Sequence, residues 1–181
     1  MRLILLLLAE LMLGQTTLAA AASGPTEPIM RTVTPQQVIS FENSKGAPDT
    51  VKWLMRSGTW QTSVLPGIRS GDSRWLRIAH SLYTVTDAGA REDLDQSLVA
   101  ALLRAPYEVL PLLKEFWWTE PGTECRFDSD SELPGGVEQY VKQLRITLNN
   151  RAPGANADLQ TQCLKGVEAT IKALHTGESQ H

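Results

Sequence analysis

Gly71 to Trp118 reads GDSRWLRIAHSLYTVTDAGAREDLDQSLVAALLRAPYEVLPLLKEFWW, and its hydrophobic spacing decides the fold class. Three helix-sized apolar segments are separated by two breaks. Gly71-Asp72-Ser73 supplies a break and an N-cap, and the first helix then carries Trp75, Ile78, Ala79 and Leu82 on one side. Thr86 to Gly89 closes it. The second segment, AREDLDQSLVAALLRA, begins with Glu92 and Asp93, where the positive end of a helix dipole favours acids. Its inward positions are Leu94, Leu98, Ala101, Leu102 and Ala105. Pro106 opens the third segment, with Val109, Leu110, Leu113, Phe116 and Trp117 inward. Pro111 predicts a bend there.

The same spacing continues on both sides. Upstream, Thr34-Pro35 reads as a cap and first turn of a helix that buries Val38 and Phe41 and stops at Gly46. Pro48 opens a second helix, with Val51, Leu54 and Met55 at i, i+3 and i+4. Thr59 starts a third, with Trp60, Val64, Leu65 and Ile68 on one face, shortened or kinked at Pro66. Downstream, Thr119–Gly136 is irregular and rich in Gly, Pro and acids. Two amphipathic helices follow. The first points Val137, Tyr140, Val141, Leu144 and Leu148 inward, and the second Leu159, Cys163, Val167, Ile171 and Leu174. No segment alternates with period two between turn signals. The expected fold is all-α, a single domain over residues 34–175 of about seven to eight short helices, arranged as a helical-hairpin bundle.

A weak internal echo runs through this pattern. Gly46-Ala-Pro-Asp, Trp60 and Val64-Leu65-Pro66 are matched by Gly89-Ala-Arg-Glu, Ala105 and Val109-Leu110-Pro111, at a spacing of about 43–45 residues. In period and content this resembles the helical pairs of HEAT or armadillo repeats. Stacked α–α pairs are therefore the alternative to a plain bundle.

Residues 1–22 have the plan of a secretory signal peptide: Arg2, the apolar run LILLLLAELMLG, and small residues up to Ala22. The run is shorter than the ~20 apolar residues of a membrane span, and Glu10 interrupts it. The exported chain is thus expected to carry no membrane anchor after cleavage. Residues 23–33, with two prolines and no periodicity, read as a flexible leader, and 176–181 as a disordered tail. The remainder, roughly 160 residues, suits one domain with its own core. Net charge is −3 and the pI about 5.6. With no basic run either, nucleic acid is excluded as the expected partner. Cys125 and Cys163 are the two cysteines. In an oxidising compartment they predict one disulfide, tying the irregular stretch to the last helix.

No motif fixes a chemistry. Gly71-Asp72-Ser73 matches the nucleophile triplet of one esterase class, but the Ser would need a strand before it and a distant Asp and His. A helix cap accounts for it. His80 lies near the Asp87 loop and is weighed as a general base. Asp128, Asp130 and Glu132 resemble the opening of a calcium loop, yet Leu133 and Gln139 stand where an EF-hand needs Gly and Glu. No metal or other cofactor is expected, and the acids read as a solvated loop. Trp117 and Trp118 are adjacent, so successive residues about 100° apart cannot both face one core. One exposed Trp beside acids has the composition of a binding hot spot. The candidate partner-binding residues are Trp117, Trp118, Glu124, Asp128, Asp130 and Glu132. The expected function is that of an exported, periplasmic or secreted, protein that binds another protein, as an immunity, inhibitor or adaptor protein does. The competing expectation is an exported hydrolase of a cell-wall polymer, with carboxylates drawn from Glu115, Glu120, Glu124 and Asp128.

Overall fold

The computed structural model describes residues 32–117, 124–127, 131 and 133–176. Among them the fold is all-α, with eight α-helices and no strand. The helices are α1 (Pro35–Lys45), α2 (Ala47–Arg56), α3 (Leu65–Arg69), α4 (Ser73–Tyr83), α5 (Ala88–Leu102), α6 (Pro106–Phe116), α7 (Val137–Asn149) and α8 (Ala157–Thr176). A π-helical turn, Trp60–Val64, leads into α3. None of these helices is long and apolar enough to cross a membrane.

Local chemistry explains the boundaries. Thr34 and Gln37 form a reciprocal capping box at the start of α1. Asp72 accepts from the Arg74 amide at the start of α4, and Asp87 from the Ala90 amide at the start of α5. The kink expected at Pro66 takes the form of the π-helical turn. There the Leu65 amide reaches back five residues to the Trp60 carbonyl, and Pro66, which has no amide to give, enters in the first turn of α3.

α6 continues through Pro111. Proline leaves the carbonyl four residues earlier without its helical donor. That carbonyl belongs to Tyr107, and it accepts instead from the Asn156 side-chain amide at 2.9 Å. The Tyr107 hydroxyl lies 2.9 Å from the carbonyls of Leu148 and Arg151. One interrupted hydrogen bond thereby fastens α6 to the turn between α7 and α8.

The predicted stripes of α4, α5 and α7 are buried as read, and α5 lies at the centre with α3, α4 and α6 packed on it. α7 and α8 pair with each other, and the Tyr140 hydroxyl ties α7 to α5 through the Val99 carbonyl at 2.6 Å. Burial pushes that phenol far above its ordinary pKa, so it stays a neutral donor. The α2 stripe is rotated from the predicted one. Thr50 and Leu54 face inward while Met55 is exposed. Thr50 tolerates burial because its hydroxyl donates to the Gly46 carbonyl at 2.8 Å. Val33, placed in the leader by its sequence, is also buried, and its amide donates to Ser63 Oγ at 3.0 Å. The echoed tripeptides differ in local structure: Val64-Leu65-Pro66 straddles the π-to-α junction, and Val109-Leu110-Pro111 lies within one α-helix.

Residues 124–127 are clamped onto this frame. Cys125 forms the disulfide with Cys163, with Cα atoms 4.8 Å apart. Gly166 makes the approach feasible, since a Cβ there would stand 1.8 Å from the Glu124 carbonyl oxygen. The Phe127 amide donates to Thr170 Oγ1 at 3.0 Å, and the Phe127 ring meets Tyr140 edge-on.

Candidate functional site

The end of α6 meets the outer edge of α4 and the first half of α5. His80 and Tyr83 are three residues apart on α4, so they share a face. Phe116 covers both: its ring stacks on Tyr83 at 3.8 Å between centroids, with planes 4° apart, and on His80 at 5.6 Å. His80 Nε2 lies 3.2 Å from a Glu115 carboxylate oxygen, and both side chains are about half exposed. Trp117 donates its indole N–H to the Tyr83 hydroxyl at 2.9 Å and is half-buried. Beneath the tyrosine, the Arg91 guanidinium stands 5.4 Å from the ring centroid and donates to the Thr86 carbonyl.

Asp95 completes the cluster. It lies half-buried on α5, four residues after Arg91, and its Oδ1 is closed to solvent with no hydrogen-bond partner among the described residues. Burial raises its pKa, and hydrogen bonding from Tyr83 and Trp117 and the charge of Arg91 work against the rise. The Tyr83 phenol is pushed up to about 12, first by burial and then by Asp95. Tyr83 therefore remains a protonated donor across ordinary pH. The arrangement is a stack of rings, a His80–Glu115 contact at its exposed rim and, at its base, a carboxylate with one oxygen unpartnered among the described residues.

The predicted residues separate into three groups. Trp117 is in this cluster. Glu124 is in the clamp, fully buried, with Lys114 Nζ 2.5 Å from its carboxylate. As a candidate partner-binding residue it is not on the surface, because the Cys125–Cys163 tether draws the neighbouring backbone onto α8. Trp118, Asp128, Asp130 and Glu132, with Glu120, lie outside the described residues. His80 pairs with Glu115 across α4 and α6, whereas Asp87 is spent on capping α5. Asp72 is likewise a cap, held down to about 2 by its hydrogen bonds from Arg74. Among the described residues, no three His, Cys, Asp or Glu side chains gather where they could hold a metal ion.

Tyr83, Arg91 and Asp95 were not singled out by the sequence. A signal for Asp95 exists, since Asp95, Leu98 and Leu102 fall at i, i+3 and i+7, which places an acid on an inward stripe. Such an acid must find partners or shift its pKa. No protein-family model, curated protein or solved structure matches this chain.

Proposed function

We propose that this chain is an exported protein that works by binding another protein, as immunity, inhibitor and adaptor proteins do. The contact lies where α4 and α6 present His80, Glu115, Phe116 and Trp117. The observation that carries the reading is the stacked ring cluster with the half-exposed His80–Glu115 pair at its rim. Aromatic anchors inside a polar border are the anatomy of a protein interface centre. Export is supported by the signal-like residues 1–22 and by the disulfide, which persists in oxidising compartments.

Site-specific photo-crosslinking tests the contact. A photoreactive residue replacing Glu115 is expected to give one dominant protein adduct in the exported fraction. The same group replacing exposed Lys172, on α8, gives none. Equal adducts from both positions, or no adduct from position 115, would sink the reading.

A further inference from the structure

We propose that a second surface binds an acidic peptide segment of a partner protein, its carboxylates held by Arg69 and Arg104. The surface is a groove of about 700 Å³ between the end of α3, the end of α5 and the segment entering α7. It rests on the reading of the chain as a binding protein but uses a different face. Arg104 just precedes α6 and Trp117 just follows it, and an eleven-residue helix is about 16 Å long.

Charge is the first argument. No described carboxylate lies in ion-pair reach of Arg69 or Arg104, although Arg74, Lys52, Lys114, Lys142 and Arg145 all have acidic partners. Arg69 Nε donates to Ser97 Oγ at 3.2 Å, which anchors the side chain at the groove. The Arg151 guanidinium donates to the Arg104 carbonyl and adds a third cation nearby. The groove thus presents two exposed guanidinium groups that have no acidic partner among the described residues.

The lining selects the class of anion. Pro66, Leu103 and Pro134 give it an apolar lining, and Gln143 adds an amide. A small inorganic anion would leave that apolar lining uncovered. Single-stranded nucleic acid would need aromatic platforms and a longer basic track, and no aromatic side chain among the described residues lines this groove. Two planar guanidinium forks suit carboxylates, which they hold through paired hydrogen bonds. Acidic side chains flanking an apolar one match this alternation. The fold has no described strand edge to extend, so recognition runs through side chains.

The test is an NMR titration of isotope-labelled protein with the peptide acetyl-Glu-Leu-Glu-Leu-Glu-amide, its Lys-for-Glu counterpart, and inorganic phosphate. The acidic peptide is expected to shift the amides of Ala100, Leu103 and Gln143 saturably, while the Trp117 indole signal stays in place. Arg104→Glu, whose side chain makes no hydrogen bond to the described residues, is expected to weaken binding at least about tenfold. Arg69→Lys keeps the charge and loses the fork, so it weakens binding less. The proposal is overturned by any of four results: no saturable shift at millimolar peptide, equal response to the lysine peptide, the same shifts from phosphate alone, or undiminished affinity in Arg104→Glu. Movement of the Trp117 indole in place of the groove amides would assign the peptide to the other surface and also overturn it. None of these outcomes depends on crosslinking at Glu115.

Discussion

The chain leaves α6 at Trp117 and is caught again at Glu124, and the two places are built on opposite terms. At Glu124–Phe127 the buried carboxylate has Lys114, the Phe127 amide has Thr170, and Cys125 is covalently bound. At Tyr83–Asp95–Trp117 the Tyr83 and Phe116 rings are stacked face to face, yet one Asp95 carboxylate oxygen is buried with no partner among the described residues and the His80–Glu115 pair is open to water. Buried polar groups that find partners stabilise a structure, and those left over cost about 1–3 kcal/mol each. The first place holds the fold together. The second retains bonding capacity unused by the described residues next to half-buried aromatic rings, which is why we assign the working contact to it.

The sharpest way to break this contrast is to remove the clamp. Replacing Cys125 and Cys163 together by Ser should cost roughly 3–4 kcal/mol in urea unfolding, from the loop entropy returned to the unfolded chain. Labelling contacts at Glu115 should persist in that variant under native conditions. Loss of both at once would show that the two places are one unit.

Gly166→Ala is the next largest. Its methyl would drive into the Glu124 carbonyl, and the overpacking should lower stability by about 1–3 kcal/mol. A melting temperature equal to the parent's would mean that the 124–127 backbone shifts at no cost, and the clamp would then be looser than described.

Asp95→Asn probes the other side and should have the smallest effect. Because burial raises the Asp95 pKa in the folded state, the folded chain binds that proton more tightly than the unfolded chain. Its contribution to stability is therefore fully present below the unfolded carboxyl pKa and is lost as pH rises through the raised folded value. The Asn variant lacks that loss. Relative to the parent, its urea midpoint should rise between pH 4 and pH 7. A constant difference across that range would mean that Asp95 does not titrate abnormally.

The helices were legible because each buried stripe is a local, period-3.6 pattern. Leu94, Leu98 and Leu102 could be placed inward without knowing what they touch. The α2 stripe misled because Thr50 carries its own acceptor four residues back, which the hydrophobic pattern does not record. The site was hardly legible. His80 and Glu115 are 35 residues apart, and Tyr83 and Trp117 34. Those meetings depend on how α4 and α6 dock on α5, which no local spacing encodes. Glu124 was misread for the same reason: its burial follows from the notch at Gly166, on another helix.

The disulfide also sets an order of assembly. Cys125 is synthesised 38 residues ahead of Cys163, and its partner lies in the last helix. Two cysteines allow one pairing within a chain, so oxidation has no wrong internal product to repair. Until α8 is complete, however, Cys125 is a lone thiol on a half-finished domain, and the available error is a bond between two chains. The clamp can close only once the chain has reached Cys163 in α8, and a bond between two copies is the oxidation error open before then.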